Sequence, residues 1–117
     1  MPRYAILHHD HPVIHWDLLL EHEDTLRSWR LVTLPTSGEV VQAEWIPDHR
    51  LLYLDYEGPV SQNRGTVSRW DRGVFEWIRD ETDEIEIHVD GEKLSGTMTL
   101  TTEGQDNRWS VAYRDDS

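Results

Sequence analysis

The sequence predicts an all-β protein, a small closed or partly open antiparallel β-barrel with few short helical turns. Apolar residues mostly alternate with polar ones instead of recurring at intervals of three and four, which is typical of strands. Turn residues also interrupt these runs at short intervals. A barrel is favoured over a sandwich because it leaves fewer strand edges to protect.

The alternating runs define candidate strands at 4–7, 14–21, 25–34, 39–46, 51–57, 65–71, 74–80, 84–89, 93–102 and 108–114. The Asp-Gly pair at 90–91 predicts a hairpin, because glycine accepts the positive φ of a tight primed turn. The Asp-Arg-Gly sequence at 71–73 and the Glu-Asp pair at 23–24 predict further turns, while 35–38 and 58–65 predict loops.

Length and composition predict one domain, residues 1–117, and restrict its partners. The net charge of −12 has the wrong sign for indiscriminate binding to nucleic acid, so a metal or clustered arginines would have to meet any polyanion locally. Because the chain has no cysteine, imidazole and carboxylate are the strong metal ligands that remain. No apolar run is long enough to span a bilayer, and we expect a soluble, cytoplasmic, monomeric protein whose polar end, 114–117, frays.

The stretch HHDHPVIHWDLLLE (8–21) concentrates histidine and aspartate near the start of the chain. Alternation along a strand would assign one face to the core, with Trp16, Leu18 and Leu20. The other face would carry His15, Asp17, Leu19 and Glu21. Residues two apart on one face stand roughly 6.5–7 Å apart at Cα, so His15 and Asp17 can converge on one ion. Pro12 bends the chain between His9 and His15, so a turn can return His9 to complete a set suited to manganese, iron or zinc.

His49 precedes the alternating run LLYLDYE, which would place it on one face with Tyr53 if the strand extends back that far. A histidine and a tyrosine on one face can supply an acid and an orienting hydroxyl. Two alternatives stay open from the residues alone. One is a half-exposed strand whose polar side chains face water, and the other is an iron oxygenase triad that includes His15 and Asp17.

The ordered blocks HDHPVIHWDLLLE, LRSW, DHRLLYLDYEGPV, GTVSRWDRGVFEW and VDGEKLSGTMTL resemble the 3′-phosphoesterase domain of bacterial DNA ligase D. The blocks of that family are H-x-x-x-x-L-H-Y-D-L-R-L-E, K-S-W, D-H-P-x-x-Y-x-x-F-E-G, G-x-V-x-x-W-D-x-G and G-x-K-L-x-G-x-x-x-L. The resemblance runs in order from about Tyr4 to Leu100.

This resemblance implies a β-barrel with a concave active site and a divalent metal, usually manganese, although zinc or another transition metal also suits the ligands. It implies an enzyme that acts on DNA or RNA 3′ ends, removes a terminal ribonucleoside or 3′-phosphate, and works with end-joining repair proteins. The metal ligands carry over to His9, His15 and Asp17, and the second active-site histidine and the tyrosine to His49 and Tyr53.

The sequence also departs from the family pattern at residues that would contact phosphate. The family's arginine is Leu19 here, its glutamine is Leu7, and its lysine after K-S-W-x-x-P is Thr33; the loop I-P-x-G-x-Y-G-x-G is shortened to PVSQNRG. We expect either that Arg64, Arg50 or Arg69 replaces the missing cation, with reduced turnover, or that the domain is a non-catalytic module. Such a module would bind metal and nucleic-acid ends, or another protein, without cleavage.

Overall fold

The computed structural model describes residues 1–116, and within them the chain forms nine strands and a short 3₁₀ helix. In chain order these are β1 (Arg3–His9), β2 (His15–His22), β3 (Thr25–Leu31), β4 (Val40–His49), the 3₁₀ helix (Leu51–Leu54), β5 (Gly58–Pro59), β6 (Thr66–Asp80), β7 (Glu84–Gly91), β8 (Ser95–Thr102) and β9 (Arg108–Asp115). The predicted end 114–117 thus lies partly in β9, and Ser117 lies outside the described residues.

The strands pair antiparallel in the order β1-β2-β3-β4-β9-β8-β7-β6, and β1 also pairs with β6. These pairings close a ring of eight strands, and the two-residue β5 pairs with the first two residues of β6. The predicted all-β fold, a small closed or partly open antiparallel barrel, is therefore confirmed. No helix in residues 1–116 is both long enough and apolar enough to cross a membrane.

Two separate apolar clusters hold the barrel together. The larger one draws side chains from all eight ring strands and so fills the barrel interior; it includes Leu18, Leu20, Trp29 and Phe75. Leu18 and Leu20 are fully buried and Trp16 packs against them, as the alternation predicted. The smaller cluster comprises Ala5, Leu7, Leu19, Leu26, Leu54 and Val67. Five of its members lie on the opposite faces of β1, β2, β3 and β6, and the sixth, Leu54, comes from the 3₁₀ helix, so this cluster lies between the outside of the barrel wall and that helix.

The predicted strand at 51–57 is wrong, because the chain forms the 3₁₀ helix there. An alternating strand would send Leu51 and Leu54 to opposite faces, whereas both pack against the smaller cluster. Side chains three apart share a face in a 3₁₀ helix, so this conformation buries Leu54 and adds Leu51 beside it. The helix therefore covers the outer face of the barrel wall.

The predicted turn at 71–73 is also wrong, since β6 runs unbroken through these residues. Gly73 is needed for a close strand approach, because a Cβ at this position would overlap the Asp90 carbonyl oxygen. Asp71 is buried and accepts hydrogen bonds from the backbone N–H groups of Lys93 and Leu94, at 2.8 and 3.1 Å. Two residues of types that usually form turns thus have other roles here: Gly73 allows close packing of two strands, and Asp71 is a buried hydrogen-bond acceptor.

The predicted hairpin at 90–91 is present, but its connection is longer than two residues. Asp90 and Gly91 remain paired in β7, and residues 92–94 make the link to β8. The Gly91 N–H donates to the Leu94 carbonyl at 2.7 Å, which closes this loop.

Replacing Tyr4 by phenylalanine is expected to destabilise the fold by about 1.5–3 kcal/mol, the range for a hydrogen bond to a charged group. The buried Tyr4 hydroxyl donates to Asp71 Oδ2 at 2.7 Å, and burial, with this bond as a further cause, raises the pKa of Tyr4 above its ordinary value. Urea unfolding would measure the loss. Tyr56→Phe is the control, because its hydroxyl donates to the exposed carbonyl of Pro59 and its removal should cost under about 1 kcal/mol.

Candidate metal centre

The β1–β2 hairpin brings two histidines and an aspartate together on the outer side of the barrel wall. His9 pairs with His15 across the two strands, and Asp17 follows on the same face of β2. One ligand atom from each of these residues lies within 4.8 Å of the others. The side chains of His15 and Asp17 are each 3% exposed and that of His9 is 15% exposed, so the group is shielded from bulk water.

Backbone carbonyls fix the tautomers of both histidines. His15 Nδ1 lies 2.9 Å from the Val13 carbonyl oxygen, and His9 Nε2 lies 2.8 Å from the Arg64 carbonyl oxygen. Because a carbonyl can only accept, each of these nitrogens must donate, and in a neutral imidazole the other nitrogen carries the lone pair. The two remaining nitrogens, His15 Nε2 and His9 Nδ1, lie 3.4 and 3.8 Å from Asp17 oxygens. Three lone-pair atoms therefore face one space.

The same space contains buried polar atoms without hydrogen-bond partners. Within residues 1–116, His15 Nε2 and Asp17 Oδ1 have no partner. Leaving a buried acceptor unsatisfied costs about 1–3 kcal/mol, and more for a charged group. A divalent cation would satisfy both atoms at once, and each imidazole already has the second hydrogen bond that usually orients a metal-binding histidine. The His-His-Asp group therefore fits a divalent metal, and the donor types suit manganese, zinc or iron.

A hydrogen bond between Asp10 and Thr66 helps to position the Arg64 carbonyl that accepts from His9. The Thr66 N–H donates to Asp10 Oδ1 at 2.8 Å, and this bond lowers the pKa of Asp10. Gly65, at φ +81°, lies so close to Asp10 that a Cβ would overlap its carboxylate. A glycine is therefore required at this position, and the loop that it shapes presents the Arg64 carbonyl to His9.

His49 ends β4 and faces the same space. Its Nδ1 lies 2.8 Å from Ser28 Oγ, whose single proton is donated to the Leu26 carbonyl, so His49 Nδ1 donates to Ser28. His49 Nε2 then points toward Asp17 Oδ2 at 4.0 Å. Burial lowers the pKa of His49, which favours the neutral ring with its lone pair on Nε2. The Tyr53 ring packs edge-on against His49 at 5.6 Å, although Tyr53 lies in the 3₁₀ helix and not on the predicted strand.

A cavity of about 670 Å³ between the barrel wall and the segment 46–64 is lined by His9, Asp17, His49 and Tyr53, whereas His15 is not among its lining residues. Of the arginines predicted to contact phosphate, Arg50 and Arg64 line it and Arg69 does not. Arg64 donates through Nε and Nη2 to Ser61, so part of its hydrogen-bonding capacity is already used. Arg30, which the sequence interpretation missed, also lines this cavity. No motif marked it; only the pairing of β2 with β3 brings it to the site.

Leu7 and Leu19, two positions at which the sequence departs from the family pattern, both belong to the smaller apolar cluster. Leu19 is fully buried there and is not among the residues that line the cavity, whereas Leu7 is. The face that carries His15 and Asp17 is therefore not the half-exposed strand of the alternative interpretation. It is covered by the 3₁₀ helix and by the loop that follows.

The fold and the site together define a small β-barrel with a two-histidine, one-carboxylate group beside a cavity that three arginines line. The chain belongs to the DNA ligase D 3′-phosphoesterase domain family, whose sequence model matches residues 7–102. It is 33% identical, over a 127-residue alignment, to the multifunctional non-homologous end joining protein LigD of Pseudomonas aeruginosa. That alignment covers 97% of this chain and 15% of the relative, so the chain spans only a small part of that protein's length. Membership of the family supports a phosphoesterase-like role on DNA ends.

Proposed function

We propose that this chain is a single-domain, divalent-metal-dependent 3′-phosphoesterase that acts on DNA or RNA 3′ ends. It would remove a terminal ribonucleoside or a 3′-phosphate, with manganese as the favoured metal and end-joining repair proteins as its partners. The observation that carries the proposal is the convergence of lone pairs from His9, His15 and Asp17 beside a cavity of about 670 Å³ that His9 and Asp17 line. Family membership supplies the substrate class.

His9, His15 and Asp17 would hold the metal, which when bound neutralises phosphoryl oxygens and stabilises charge on the transferring group. The net charge of −12 makes such neutralisation necessary for a polyanionic substrate. His49 Nε2 faces the same space and can take up a proton there and deliver it to the leaving oxygen. Ser28 fixes the orientation of the His49 ring, and Tyr53 is placed to orient an oxygen beside it.

A second candidate function is a non-catalytic module that binds metal and nucleic-acid ends or a repair protein. Leu19 favours it, because loss of a bidentate arginine contact from a phosphoryl-transfer site can reduce the rate on the order of 10³-fold. Under this alternative the metal ligands persist while turnover does not. The two candidates differ in what a His49 variant should do.

Release of phosphate from a 3′-phosphorylated oligonucleotide, with manganese present, distinguishes the two functions. We expect the wild type to turn over and His49→Ala to lose about 10²–10⁴-fold in rate, the usual contribution of a general acid or base. Manganese affinity, measured by calorimetry, should change little. His88→Ala is the matched control, because His88 is on the outer surface of β7 and its one side-chain hydrogen-bond partner within residues 1–116 is Asp116.

Absence of release by the wild type at enzyme concentrations above that of the substrate would overturn the catalytic proposal. The non-catalytic module would then be supported if wild type and His49→Ala bind the 3′ end with equal affinity. A substrate that carries a single 3′-terminal ribonucleoside should be tested in parallel, because removal of the nucleoside and of the phosphate are separate reactions.

A further inference from the structure

We propose that Arg30 is the residue that binds a phosphoryl oxygen in this site, in place of the arginine expected at position 19. The inference deepens the proposed function and rests on it for the identity of the substrate. The ligand class is a phosphate monoester or diester oxyanion held between the metal group and the Arg30 guanidinium.

Strand pairing places Arg30 beside the metal group. Asp17 of β2 and Arg30 of β3 are direct partners in the β2–β3 ladder, so their side chains leave the same face of the sheet. Leu19, the position of the expected arginine, is the next residue on this face of β2. A long side chain from Arg30 can therefore reach the region that an arginine at position 19 would serve, and it enters from the neighbouring strand.

The Arg30 guanidinium has hydrogen-bonding capacity that its surroundings do not use. Its Nε is buried and has no hydrogen-bond partner within residues 1–116. Its Nη1 approaches the exposed Glu44 carboxylate only at 3.9 Å, which is beyond hydrogen-bond range. A buried guanidinium N–H without an acceptor is unfavourable, and the Arg30 side chain, which is 38% exposed and lines the cavity, can turn to offer an oxyanion there the planar, two-pronged geometry that suits phosphate.

The other arginines near the site are less suited to this role. Arg64 is held through Nε and Nη2 on Ser61. Arg69 does not line the cavity, and Arg50 is an exposed residue at its edge. Arg30 combines a place on the rigid barrel wall with a buried, unused donor.

Binding of inorganic phosphate, and of a 3′-phosphorylated oligonucleotide against its 3′-hydroxyl counterpart, tests the inference on the manganese-loaded protein. We expect Arg30→Gln to weaken binding of both phosphate-bearing probes roughly 10- to 100-fold and to leave the affinity for the 3′-hydroxyl end nearly unchanged. Arg72→Gln is the matched control, because it removes the same charge from an exposed arginine of β6 that is paired with Glu92 and does not line the cavity. It should not alter phosphate affinity.

The thermal stability of the metal-free variants separates phosphate binding from a structural role. Arg30→Gln should unfold at the wild-type temperature or above, because it removes an unsatisfied buried donor; a purely structural arginine would lower that temperature. Arg30→Lys, which keeps the charge without the planar fork, should recover only part of the phosphate affinity.

The inference would be overturned if the wild type bound phosphate no more tightly than Arg30→Gln and Arg30→Lys. The proposed function could then still hold, with another cation binding the phosphate. Arg30-dependent binding of inorganic phosphate without cleavage of any oligonucleotide would support the inference while overturning the catalytic proposal. The two ideas therefore fail separately.

Discussion

Replacing Asp17 by asparagine is expected to lower the affinity for manganese by more than about 100-fold and to raise the stability of the metal-free protein. Loss of an outer hydrogen bond to a metal ligand already costs about 10–100-fold in affinity, so loss of a ligand itself should cost more. In the metal-free protein Asp17 is a buried carboxylate with one oxygen that has no hydrogen-bond partner in the described residues. An asparagine amide there can donate to the lone pair of His15 Nε2, which lies 3.4 Å from that oxygen.

The opposite signs of these two effects distinguish a metal centre from an ordinary buried carboxylate. Calorimetric titration with manganese and thermal unfolding in the presence of a chelator measure them. Asp83→Asn is the control, since it removes the same charge from an exposed loop residue and should change neither quantity. If Asp17→Asn bound manganese as tightly as the wild type, His9, His15 and Asp17 would not be the ligand set.

Alternation was sufficient to predict the barrel, because it reports directly which face of each strand is apolar. It failed at 51–57, where the residues alternate as they would in a strand, yet Leu51 and Leu54 both pack on the smaller cluster from a 3₁₀ helix. It also failed at 71–73. There, residue types that usually form turns have tertiary roles instead. Asp71 is a buried hydrogen-bond acceptor, and Gly73 allows a close approach of two backbones. Local sequence does not encode either role.

The predicted grouping of His9, His15 and Asp17 required only strand parity and a short hairpin, both of which are local. Arg30 could not be found in this way, because its place opposite Asp17 depends on the register between β2 and β3. The smaller apolar cluster escaped prediction for a similar reason. Leu19 was assigned to the face of His15 and Asp17, but the helix that buries this face comes from a distant part of the chain.

Restoring an arginine at position 19 is expected to destabilise the protein by about 3–5 kcal/mol and not to restore turnover by itself. Leu19 is fully buried, and its neighbours in the smaller cluster are apolar: Ala5, Leu7, Leu26, Leu54 and Val67. A guanidinium placed among them loses water and finds few acceptors. Leu52→Arg is the matched control, because Leu52 is 44% exposed in the adjacent 3₁₀ helix and should tolerate the change at little cost.

The departures at positions 7 and 19 should therefore behave as one coupled change. Leu7 and Leu19 share the smaller cluster, and only Leu7 also lines the cavity. A glutamine at position 7 would place a polar group between the cavity and a guanidinium at position 19, so Leu7→Gln with Leu19→Arg should cost less stability than the sum of the single changes. Urea unfolding of the two single variants and the double variant measures the coupling. Additive losses would show that positions 7 and 19 are not energetically coupled.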